Sequence, residues 1–115
     1  MNSATPTYRN DQMPKRITKA LLKRLRACES GIAAFAVVFP RGVALTPEAL
    51  QIAFDADLGL SYLAYILGCY RDTDYAAISA LHWQCVEGEI TDKAKWRGGR
   101  RVGRDAILRM LEAQK

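Results

Sequence analysis

Ala27-Cys28-Glu29-Ser30-Gly31-Ile32-Ala33-Ala34-Phe35-Ala36-Val37-Val38-Phe39-Pro40-Arg41-Gly42 is the stretch on which the fold turns. Ile32, Phe35, Ala36 and Phe39 recur at i, i+3, i+4 and i+7, one stripe of an α-helix, and Cys28 lies one turn earlier on it. Pro40 cannot continue a helix, and Gly42 suits the turn that follows. The spacing predicts a buried helix over 28–39 that the other segments pack around. A buried strand at Ile32–Phe39 is the alternative, because short apolar runs are ambiguous.

Outward from that stretch, the pattern stays helical. Ile17, Leu21, Leu25 and Cys28 give an inner stripe to a first helix from about Arg16 to Ala27, with Lys19, Lys23 and Arg26 outside. Thr46-Pro47-Glu48 is a helix start: a Thr cap, Pro at the first position and an acid at the positive end of the dipole. Leu50, Ala53 and Phe54 face inward in that helix, and Asp55-Ala56-Asp57 breaks it. Residues 58–69 are apolar on nearly every side, the mark of a central helix or an interface. Asp72-Thr73-Asp74 caps another helix, with Tyr75, Ile78, His82 and Cys85 on one stripe and Gly88 as its stop. Gly98, Gly99 and Gly103 predict a loop over 88–103, and Arg104 to Ala113 forms a last helix. The expectation is an all-α chain, a compact bundle of five or six short helices, with a flexible arm at 1–14 and one helical domain at 15–115.

The chain has 115 residues, a length suited to one domain. Its net charge is +5, but the distribution says more. Residues 1–26 balance to +6, residues 27–92 to −7 and residues 93–115 to +6. Such a basic–acidic–basic order fits either oppositely charged segments lying side by side or two surfaces of opposite sign. The three cysteines, Cys28, Cys69 and Cys85, each lie in an apolar segment, which suits a reduced, cytoplasmic setting. The polar N-terminus is no secretory signal, and the apolar run Leu58 to Tyr70 is too short for a bilayer, so no membrane association is expected.

Candidate chemistry is sparse. Lys93 to Arg104 holds six basic residues, Trp96 and three glycines, with no acid. Lys95, Trp96, Arg97, Arg100 and Arg101, joined by Lys19, Lys23 and Arg26, would neutralise phosphates and stack a base. A solvated basic loop with Trp96 folded into the core is the plainer account. Acidic couples occur at Asp55/Asp57, Asp72/Asp74 and Glu87/Glu89. As helix-end residues they suit capping; grouped, they would engage a basic groove, with Tyr62, Tyr65 and Tyr70 as exposed aromatic contacts. His82, Cys85, Cys28 and Cys69 lack Cys-x-x-Cys spacing and lie on apolar stripes, so they read as core residues, not zinc ligands. No catalytic set, metal or cofactor is expected.

The run Ala27-Cys28-x-x-Gly31-x-x-x-Phe35-x-x-x-Phe39-Pro40-x-Gly42, then Leu45-Thr46-x-Glu48-Ala49, resembles a segment of small uncharacterised phage and prophage proteins. Asp57-Leu-Gly-Leu-Ser-Tyr-Leu-Ala64 resembles its continuation, so the likeness covers roughly residues 20–67. The resemblance carries no catalytic or ligand residues. It implies a phage accessory protein in the cytoplasm of a host bacterium, a class that includes anti-CRISPR proteins. The expected partner is then a host protein or ribonucleoprotein complex such as a CRISPR-Cas effector. Two alternatives are a small basic DNA- or RNA-binding protein using 93–104 and the first helix, and a phage assembly protein that oligomerises through 58–69.

Overall fold

In a computed structural model, which describes residues 13–114, the first element among the described residues is a two-residue strand, β1 (Arg16–Ile17). Thr18 then caps α1 (Lys19–Arg24) by accepting the Leu21 N–H at 3.1 Å. The first helix is therefore shorter than its apolar stripe suggests, and it closes at Arg26 with φ of 65°. α2 (Glu29–Val38) leads through Pro40 to β2 (Val43–Ala44), which pairs antiparallel with β1, Arg16 opposite Ala44 and Ile17 opposite Val43. Gly42 (φ 76°) makes that approach possible, since a Cβ there would sit 2.8 Å from the Ile17 carbonyl oxygen.

Thr46 caps α3 (Pro47–Asp55) as the sequence predicts, accepting the Ala49 N–H at 3.1 Å. α4 (Leu60–Ile66), α5 (Asp72–Val86) and α6 (Asp92–Ala113) follow. The chain is all-α, with six helices and one small strand pair among the described residues. The expected arm at 1–14 lies outside the described residues except for its last two.

The segment 93–103 is not a loop. It is the first half of α6, a single helix of 22 residues. Glycine costs about 1 kcal/mol against alanine inside a helix, so packing must repay it. At Gly103 the helix lies directly on the start of α4: a Cβ there would fall 2.5 Å from the Leu60 carbonyl oxygen and 2.6 Å from Ser61 Cα. At Gly98 the missing Cβ makes room for Leu81 of α5. α6 packs extensively on α4 and α5 and also touches α3, and it organises the bundle.

The role expected of 28–39 passes to α6 for the same reason. α2 is helical, yet Phe35 is its one buried residue, and Val37 is 82% exposed. It packs mainly on α1, at the edge of the domain. Cys28, placed on an inner stripe by periodicity, is exposed at its N-cap. The core runs instead through Ile17, Leu21, Leu50, Leu60, Ala64, Leu67, Cys69, Ala106 and Ile107.

Candidate functional site

The basic residues divide into two groups with different fates. Lys93, Arg97 and Arg101 recur every four residues on α6 and are exposed, with half-exposed Trp96 beside them and Lys95 partly covered. Arg100 is only 1% exposed, its guanidinium reaching into the fold. Its Nε donates to the Leu58 carbonyl at 2.7 Å, Nη2 to the carbonyls of Phe54 and Ala53, and Nη1 to Asp57 Oδ1 at 3.1 Å. The guanidinium carbons of Arg100 and Arg104 each lie 4.5 Å from the Phe54 ring centroid. Arg100 is thus a clamp on the end of α3, and the expectation that it contacts nucleic acid is corrected. Burial lowers its pKa, while Asp57 opposes that shift. Lys19, Lys23 and Arg26 are exposed on and just after α1, which packs chiefly on α2, whereas α6 packs on α3, α4 and α5.

The acidic couples are similarly split. Asp57 (φ 62°) gives one oxygen to Arg100, and Asp55 accepts a bond from Gln51 at 2.9 Å. Asp74, 13% exposed, receives Arg109 Nη2 at 2.6 Å and the Arg71 N–H at 2.9 Å. Burial works against its charge, but those two donors and the Arg109 charge hold the carboxyl below its ordinary value. Asp74 is thus occupied within the fold, which corrects its assignment to a partner surface, whereas Asp57 gives one oxygen to Arg100 and stays 63% exposed. Asp72 and Asp55 remain exposed. Tyr62 and Tyr65 are exposed with ring centroids 6.3 Å apart, the Tyr62 hydroxyl donating to the Arg26 carbonyl at 3.3 Å. Tyr70 is corrected from exposed to half-buried: its hydroxyl donates to the Ser61 carbonyl at 2.9 Å, and burial with the nearby Asp74 charge pushes its pKa up to about 12.

Two features were not foreseen. α5 contributes no buried residue. Asp74, Ile78, Leu81 and Cys85, partly covered, form its side toward α6. Of the expected inner stripe, Ile78 and Cys85 are on that side, whereas Tyr75 and His82 are exposed. Tyr75, Ser79, Trp83 and Val86 share the opposite face, with exposed Ala76 and Ala80 beside them, and Trp83 is 58% exposed. Exposed Asp72 stands at one end of that face and Glu87 and Glu89 at the other. The second feature is a cavity of about 430 Å³ beneath α2, walled by β1, α1, α2, β2, α3 and α4.

No family model matches the chain, and no curated protein or solved structure matches it either.

The chemistry open to these groups is limited. Among the described residues no three His, Cys, Asp or Glu side chains are grouped to hold a metal. Cys69 is buried, and that burial pushes its thiol up to about 12. The Cys85 thiol donates to Asp92 Oδ1 at 3.1 Å, which raises its pKa. Cys28, exposed, is lowered by its hydrogen bond with Ser30, 3.4 Å away. The three sit apart, and their expected common role as core residues holds for Cys69 only. Among the described residues no helix is long and apolar enough to cross a membrane.

Proposed function

We propose that the protein is a non-catalytic phage or prophage accessory protein that binds and blocks a host defence complex, of the anti-CRISPR kind, in the host cytoplasm. The outer face of α5 is its docking surface. One observation carries this reading: a helix of 15 residues with no buried residue presents Tyr75, Trp83 and Val86 together. Contiguous exposed apolar surface marks interaction sites, and Trp and Tyr dominate the energetics of such sites. Asp72, Glu87 and Glu89 at the two ends suit a partner groove edged with lysine or arginine. Asp55, Tyr62 and Tyr65, exposed on α3 and α4, are further candidate contacts.

A second reading is favoured by the exposed stripe Lys93, Arg97 and Arg101 with Trp96 alongside. A small DNA- or RNA-binding protein would use that stripe, without Arg100. Three phosphate contacts would give a log–log salt slope of about −3. Photo-crosslinking in host extract with Trp83→Glu and with Arg97→Glu/Arg101→Glu separates the two readings. Protein docking predicts nuclease-resistant capture that Trp83→Glu abolishes and the α6 variant keeps. Capture lost with nuclease and with the α6 variant would overturn it in favour of nucleic acid.

A further inference from the structure

The cavity beneath α2 has a chemistry that narrows its occupant. Its buried walls are apolar throughout, with Leu22, Phe35, Leu50, Leu58, Leu60 and Ile66 among them. Every polar side chain in the lining belongs to an exposed residue: Cys28, Ser30, Asp57, Tyr62 and Trp96. Those residues mark the open side. A ligand with hydrogen-bonding groups along its length would lose their hydration inside and find no side-chain partner there. A peptide backbone or a polar heterocycle is disfavoured on that ground. A hydrocarbon loses nothing, and its burial is driven by the area removed from water. The volume, about 430 Å³, takes about fourteen methylene groups if each fills roughly a water molecule's share of ~30 Å³. It lies in the usual range for small-molecule sites.

We infer that this cavity binds a single aliphatic chain of the fatty-acyl class, tail inward, with its polar head at the opening by Ser30 and Tyr62. The site lies apart from the α5 face, since no residue of α5 lines it, and Tyr62 at its opening is the one residue it shares with the further contacts proposed above. α2 serves as its cover. That role accounts for a helix that buries only Phe35 and packs mainly on α1.

Myristate and 1-tetradecanol, one charged and one neutral at the head, are the probes. Trp96 lies in the lining and reports occupancy by its emission once Trp83 is replaced by Phe. Both probes should bind one-to-one in native mass spectrometry and shift that emission. In a series from decanoate to stearate, affinity should rise about fourfold per methylene while the chain still enters the cavity, then level off near myristate. Ala49→Phe fills the cavity from the wall and Ala34→Phe from α2, each weakening binding by at least about tenfold. Ala34 is exposed, so its variant decides alone if Ala49→Phe does not fold. The inference is overturned by any of three results: no saturable binding of either probe, affinity that climbs to stearate without a plateau, or full binding in a folded Ala34→Phe variant.

Discussion

Replacing Arg100 by Met isolates what the buried guanidinium contributes. Methionine keeps most of the side chain's length against Phe54 and removes every donor. Four acceptors lose their partner: the carbonyls of Ala53, Phe54 and Leu58, and the Asp57 carboxylate. The carbonyls are not left bare, since Leu58 N–H still reaches Ala53, Asp57 N–H reaches Phe54 and Leu60 N–H reaches Leu58. The loss is therefore the charge-assisted bonds themselves, not orphaned buried groups. Two well-formed bonds at about 1.5 kcal/mol each, the lower end for charged donors, give about 3 kcal/mol. Arg100→Ala also loses the two stem methylenes beyond Cβ at about 0.8 kcal/mol each, for about 4.5 kcal/mol in all. Asp57→Asn should cost under about 1 kcal/mol, because that carboxylate is 63% exposed. Arg100→Lys keeps the charge without the fork and should recover less than half the loss. Urea unfolding followed by circular dichroism measures all four, and thermal unfolding should fall by about 12 °C for Arg100→Met at about 4 °C per kcal/mol. If Arg100→Met unfolds within about 0.5 kcal/mol of the parent, the clamp is not holding α3. If it costs no more than Asp57→Asn, the ion pair and not the carbonyls is the working contact.

The glycines of α6 should respond in opposite directions. Gly103→Ala forces a Cβ into the backbone of α4 and should cost about 2 kcal/mol, whereas Gly99, with nothing within 4 Å of its missing Cβ, should gain about 1 kcal/mol as alanine; urea midpoints decide, and equal effects would refute the close approach. Stability should also fall in alkali. The Cys69 thiol rises from 9.0 to about 12 and the Tyr70 hydroxyl from 10.0 to about 12, so the folded chain holds protons that the unfolded chain has released. Their contribution is complete below pH 9 and is lost by about pH 12; Cys69→Ala with Tyr70→Phe should flatten that limb of a stability–pH curve. Asp74, lowered when folded, works on the acid side: its stabilisation is present above the unfolded carboxyl range near pH ~4 and is lost as pH falls through the folded value. Asp74→Asn should remove that acid-side dependence, and an unchanged acid limb would exclude the Arg109 pair as its source.

The helix content was legible from local rules because those rules act locally. Thr46-Pro47 and Gly88 sit where capping chemistry puts them, while Arg71 rather than Asp72 is the N-cap of α5 and Asp74 accepts its N–H; each helix boundary they mark is in place. What was not legible depends on contacts between segments far apart in sequence. Three glycines in six positions read as a loop, and only the approach of Leu60 and Ser61 to Gly103, and of Leu81 to Gly98, explains why a helix keeps them. The same rule governs the charges. Arg100 and Arg101 are indistinguishable by composition, yet a step of one residue turns one into the core and leaves the other in water. Asp57 and Asp74 were counted with the free acids, and their partners Arg100 and Arg109 lie 43 and 35 residues away. The segregated charge of the chain is thus spent in part on tying the acidic middle to the basic last helix. Among the described residues, the Lys93–Arg97–Arg101 stripe, the acids Asp55, Asp72, Glu87 and Glu89, and the aromatic face of α5 stay at the surface. The α5 face did have a signal: Tyr75, Ala76, Ala77, Ile78, Ala80, Leu81, Trp83 and Val86 leave no wholly polar side, the pattern read at 58–69 as either core or interface. For 58–69 the answer is core, since Leu60, Ala64 and Ile66 are buried under α6. α5 has one side on α6 and, among the described residues, the other exposed, and by the same logic that exposed side is the docking surface proposed above.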